Sequence, residues 1–190
     1  MTYRIMDIEP SYTRLIATET LSDLTLCGES SDKILFHDTD VIYSSNTEIA
    51  KCLVDWAEGT ALDEENALFL SSKLTQGDFC REAMPKTGLQ TGVCSPTSQG
   101  GINNIISGEL GIPKVGDMFT VESDDEYWTL SNTAENTNEI YTVKTDGTLG
   151  IRTLVINNTE KSRIRPIIVI PNTNTIMDGE GTLNSPYRLN

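Results

Sequence analysis

No stretch of this sequence approaches the roughly 18 consecutive apolar residues needed to cross a bilayer. Membrane insertion by this segment is therefore not expected. Histidine occurs once, at His37, which leaves little material for an acid–base pair or a triad. No Gly-x-Ser-x-Gly elbow and no phosphate-cradling Gly-Lys-Ser/Thr loop occurs. The four cysteines (Cys27, Cys52, Cys80 and Cys94) contain no Cys-x-x-Cys pair, which argues against a zinc knuckle. Positive charge is also scarce. Lys and Arg number 14 against 28 Asp and Glu, a formal net charge of −14. Such a chain is repelled by phosphate backbones and anionic membrane surfaces, so nucleic acid is excluded as a partner class.

Thr, Asn, Ser and Gly fill the space that apolar residues, at 37%, leave open. That mixture suits loops and strands better than a helical bundle. The length fits one domain, residues 1–190, large enough to bury a core. The opening residues lack the charged-then-apolar layout of a signal peptide, so the expectation is either another export route or a chain trimmed to its ordered part. The even cysteine count admits two disulfides in any of three pairings, with buried thiols as the alternative.

Along the chain, Tyr3 to Ile8 and Tyr12 to Thr18 read as strands joined at Glu9-Pro10-Ser11, because proline cannot donate to a ladder. Lys33 to Phe36 and Val41 to Tyr43 are short apolar runs. Between about 46 and 74 the spacing predicts a pair of helices. In the first, capped by Asn46 or Thr47, Ile49, Cys52, Leu53 and Trp56 recur at helical steps, and Gly59 ends it. The second is expected from Asp63 to about Leu74, with Asp63-Glu64-Glu65 at the positive end of its dipole. An irregular excursion spans about 75–107. Residues 109–190 are β-rich, with runs at Met118 to Val121, Tyr127 to Ser131, Glu139 to Val143 and Thr148 to Val155. Asp146-Gly147 is a hairpin signal. Arg165-Pro166-Ile167-Ile168-Val169-Ile170 reads as a strand covered on both faces. The fold class expected is α+β: a mixed or antiparallel sheet with two helices in the first half.

Candidate site residues are few. Tyr127 and Trp128 are neighbours on one strand and point to opposite faces, so one is expected buried and the other exposed as a ligand-binding surface. Arg165 is a ligand-binding candidate or a structural partner of an acidic group. Asp178 and Glu180, around Gly179, form either a glycine-driven turn or a site for a hard cation such as Ca²⁺. Glu122-Ser123-Asp124-Asp125-Glu126 reads as a solvated turn before it reads as a cation loop. His37 reads as a turn residue.

Several of these runs occur in a characteristic order: Tyr127-Trp128-Thr129-Leu130-Ser131, Tyr141-Thr142-Val143, Asp146-Gly147, Ile164-Arg165-Pro166-Ile167-Ile168, Gly179-Glu180-Gly181-Thr182 and Pro186-Tyr187-Arg188-Leu189. The chain thereby resembles a family of poorly characterised extracellular domains from Gram-positive bacteria and their phages. The resemblance implies a loop-rich, C-type-lectin-like second half in a fold whose first and last strands pair. Some relatives of that kind stand behind pilin-like anchors. The Glu-Pro-Asn and Trp-Asn-Asp motifs of calcium-dependent lectins are missing from this chain. The expectation is a non-catalytic extracellular module at a cell surface or virion: a pilin-like subunit, an adhesin or a phage appendage. Its partner would be a protein or glycan on a surface, or another copy of itself. A carbohydrate- or peptide-binding domain is the alternative. An enzyme would need a reactive cysteine pair, for which Cys80 and Cys94 are the nearest material.

Overall fold

The structure, a computed structural model, describes residues 1–37, 43–63, 68–80, 83–84, 105–120, 124–133, 138–155, 159–174, 176–179, 185 and 188–189. The first strands are β1 (Tyr3–Ile8), β2 (Tyr12–Ala17) and β3 (Ile34–Leu35), followed by helix α1 (Glu48–Gly59). Next come β4 (Ala61–Asp63), β5 (Leu68–Phe69), β6 (Gly77–Cys80), β7 (Ala83–Met84), β8 (Ile105–Gly108) and β9 (Leu110–Gly111). The remaining strands are β10 (Tyr127–Thr133), β11 (Glu139–Val143), β12 (Leu149–Thr153), β13 (Lys161–Ser162), β14 (Ile167–Pro171), β15 (Ile176–Asp178) and β16 (Arg188–Leu189).

Helix α1 forms where the spacing predicts it. The Thr47 hydroxyl caps it by accepting from the Ala50 N–H at 3.3 Å. Ile49, Cys52, Leu53 and Trp56 are buried on one face. The end is sealed by Thr60, whose hydroxyl donates to the Trp56 carbonyl at 2.6 Å.

Among the described residues the second expected helix is not formed, and the molecule is mostly β rather than α+β. Its span holds β4 and β5, paired antiparallel with Ala61 opposite Phe69, and a 3₁₀ turn at Leu70–Lys73. Of the apolar residues that suggested a helix, Leu70 is buried while Leu62 is exposed. They therefore form no single buried face, and tertiary pairing overrides the local charge signal. Residues 64–67 lie outside the described part of the chain.

Two four-stranded sheets organise the fold, in the orders β1-β2-β14-β9 and β12-β11-β10-β7. The apolar run at Ile167–Ile170 is buried throughout, as a strand covered on both faces should be. It lies between β2 and β9, with Ile167 opposite Ile16 and Gly111. The β11–β12 hairpin turns on Asp146-Gly147, where Gly147 takes φ 77°.

Two further expectations fail. Met118 to Val121 reads as a strand in the sequence, but Val115–Thr120 is a 3₁₀ turn, and Val121 lies outside the described residues. Here the Asp117 carboxylate accepts from the Lys114 N–H at 3.0 Å, a local bond that competes with strand pairing. Among the described residues first and last strands do not pair: β1 is bonded to β2 and β16 to β15. The two ends of the excursion are strands as well, β6 running antiparallel to β8.

A continuous core joins the sheets to α1 and includes Phe36, Leu53, Trp128, Ile140, Ile164 and Ile167. Cys27 and Cys52 form a disulfide, Cα atoms 4.8 Å apart, which ties the 3₁₀ turn at Thr25–Cys27 to α1. Cys80 is also disulfide-bonded, while Cys94 lies outside the described residues.

Candidate interaction edge

The residues singled out in the sequence are brought together, but inside the molecule. Tyr127 and Trp128 are 1% and 0% exposed, so neither offers a surface. They do occupy opposite faces of β10, and both faces are covered. The Trp128 indole packs edge-on to Phe36 and donates to the Ile34 carbonyl at 2.8 Å. The Tyr127 ring lies under the Arg165 guanidinium, 5.1 Å from the ring centroid. Burial raises the Tyr127 pKa, against the opposing pull of the Arg165 charge.

Arg165 is itself fully buried. Its Nε donates to the Ala17 carbonyl at 2.9 Å and its Nη2 to the Thr18 carbonyl at 2.8 Å. It fastens the end of β2 and is not a ligand-facing cation.

The described part of the acidic run before β10, Asp124 to Glu126, is held by two arginines and by Lys33, which lies 3.7 Å from Asp125. Arg163 contacts Asp32, Asp124 at 3.5 Å and Asp125 at 2.9 Å. The Asp125 contact is an ion pair by distance, its angle too bent for a hydrogen bond. Arg152 holds Glu126 at 2.7 Å, and the Thr142 hydroxyl donates to the same carboxylate at 2.6 Å. Burial alone would raise the Asp124 and Glu126 pKa values. Hydrogen bonds from Thr20 to Asp124, and from Arg152 and Thr142 to Glu126, outweigh it and hold both carboxyls below their usual range. Asp178 sits on β15 and Glu180 lies outside the described residues. Among the described residues no three His, Cys, Asp or Glu side chains converge as a metal site would require.

The exposed feature of most consequence lies elsewhere, on β1. This strand ends its sheet, and among the described residues it is bonded on one side only. Ile5 and Ile8 are 55% and 68% exposed. The β1–β2 register explains their direction. Tyr3, Ile5 and Ile8 stand opposite Ala17, Leu15 and Thr13, whereas Arg4 and Asp7 stand opposite Ile16 and Arg14. A bulge between Ile5 and Asp7 absorbs Met6. The alternation of side chains therefore places Tyr3, Ile5 and Ile8 on one face and Arg4 with Asp7 on the other. Asp7 is held by Arg14 through bonds of 2.8 and 2.5 Å, yet its side chain keeps 36% of its surface in solvent.

Sequence reasoning marked Tyr3 to Ile8 as a strand but gave no reason to notice its outer side. Alternation reveals which residues share a face. It does not reveal that the partner strand, β2, is itself occupied by β14, leaving β1 at the edge.

A second feature is a cleft of about 690 Å³ between α1 and the β8–β9 segment. Tyr43, Val54 and Leu110 supply apolar walls, and Lys51, Asp55 and Glu109 bring charge to its rim. Its size suits a small ligand. No family model matches the chain, and no curated protein and no solved structure matches it either.

Proposed function

We propose that this chain is a non-catalytic extracellular module, displayed on a cell surface or virion, that acts in assembly or adhesion through the β1 edge. The observation that carries this reading is a sheet edge exposing Ile5 and Ile8 beside an outer backbone row unbonded among the described residues. Strand addition uses such an edge: main-chain bonds give affinity and alternate side chains give selectivity. Covering two isoleucines that are each more than half exposed contributes on the order of 2 kcal/mol. The Cys27–Cys52 disulfide is compatible with an oxidising exterior. The resemblance to Gram-positive and phage surface domains points the same way.

The test is light scattering after size-exclusion chromatography, with negative-stain electron microscopy of the same sample. Wild type is expected to form a defined oligomer or filaments, and Ile5→Lys/Ile8→Lys to remain monomeric. Assemblies unaffected by the double substitution would remove β1 from the reading. A strict monomer would turn attention to the second reading, a glycan or peptide in the cleft between α1 and β8–β9. Glycan binding that survives a chelator would then mark that site.

A further inference from the structure

We infer that the partner β1 accepts is β1 of a second copy, paired antiparallel about a two-fold axis that passes through Ile5. This rests on the assembly reading above and names its partner. The argument comes from register. About such an axis, Tyr3 of one copy meets Ile8 of the other and Arg4 meets Asp7, each pair occurring twice. In a regular strand this pairing is forbidden, because residues separated by an odd number of positions point to opposite faces. The bulge at Met6 removes the prohibition. It places Tyr3 and Ile8 on one face and Arg4 and Asp7 on the other.

The backbone agrees. Thr2 accepts from Thr18 and Glu9 donates to Tyr12, so both turn their bonding groups inward to β2. Their neighbours Tyr3 and Ile8 therefore point theirs outward, where two such residues can exchange bonds across the axis. Charge agrees as well. A two-fold contact must be self-complementary, and Arg4 opposite Asp7 satisfies that on the face where β1 is charged. Paired with itself in the same direction, β1 would instead align like charges. On the other face, Ile8 of each copy gains the Tyr3 ring of its partner. A contact between two six-residue strands is small and belongs to the weak class of interfaces. It suits modules held at high local concentration.

The test is a charge-exchange mixing experiment on the full chain. Wild type, Arg4→Glu, Asp7→Lys and the equimolar mixture of the two variants are compared by sedimentation at protein concentrations up to about 1 mM. Each variant alone places like charges across both pairs and should weaken the dimer at least ~10-fold. The mixture restores opposite charges at both contacts and should return to within ~3-fold of wild type. Circular dichroism checks that Asp7→Lys, which also loses its bond to Arg14, remains folded. An independent variant pair reads the register without altering charge: Tyr3→Cys mixed with Ile8→Cys should cross-link under oxidation, and Tyr3→Cys alone should not. Dimers unmoved by the charge variants, but lost in Ile5→Lys/Ile8→Lys, would overturn this register and leave edge assembly standing. A wild type monomeric across the whole range would overturn both.

Discussion

Arg165 shows how one side chain can hold a sheet to a loop. Its guanidinium has no exposed surface and serves the carbonyls of Ala17 and Thr18 just where β2 ends. Replacing it by a neutral chain takes a donor from each of those carbonyls, the Ala17 bond being buried, and removes the cation from the Tyr127 face. Arg165→Leu is therefore expected to lower stability by about 2–4 kcal/mol. The measurement is the urea midpoint at unchanged slope. Arg165→Lys should recover only part of the loss, because an ammonium cannot reproduce the planar fork. A shift in the midpoint worth less than about 0.5 kcal/mol would place this arginine among ordinary surface residues.

Helix α1 is anchored at three points: the Thr47 cap, the buried face around Leu53, and the disulfide from Cys52 to Cys27. The cross-link closes a loop of 25 residues. By the chain-entropy argument, its removal costs about 3 kcal/mol. Cys27→Ser/Cys52→Ser should show that loss in thermal or urea unfolding, and a variant as stable as wild type would mean packing alone holds the turn. At this scale the sequence was readable where one signal dominates. The helical spacing of Ile49 to Trp56, the Asp146-Gly147 turn and the β-branched run at Ile167 to Ile170 all gave their elements correctly. It was unreadable where partners far away decide. Asp63 to Leu74 has acidic residues suited to a helix start, but antiparallel pairing of Asp63 with Leu68 and a 3₁₀ turn at Leu70–Lys73 occupy its described residues. Tyr127 and Trp128 were correctly assigned to one strand, yet no local pattern tells that both faces of that strand are covered. The β1 edge was invisible for the same reason: its exposure depends on where β14 inserts.

The whole molecule carries a formal charge of −14, and its response to acid follows from a few paired carboxylates. Asp124 and Glu126 titrate below their unfolded values. Their contribution is complete above the ordinary carboxylate pKa and disappears as pH falls through the lower folded values. Asp117 has the opposite sign. Burial raises its pKa against the pull of Lys114, so its protonated form favours the fold and that contribution fades as pH rises above the ordinary value. The sum should be a urea midpoint that drops below about pH 4, with Asp124→Asn/Glu126→Gln making the drop shallower. An unchanged profile in that variant would assign acid sensitivity to other carboxylates. The order of the main sheet has a temporal consequence too. Thr13 on β2 and Asn172 just beyond β14 are bonded across 159 residues of chain, and β14 is the strand that completes that sheet. On a ribosome adding about 5–20 residues per second, the opening hairpin waits on the order of ten seconds for its neighbour. Throughout that interval Leu15 and Ile16 lie open and the hairpin has two unclaimed sides. The nascent chain is therefore most vulnerable to mispairing early in its synthesis, and a holding chaperone would have its greatest effect on yield in that interval.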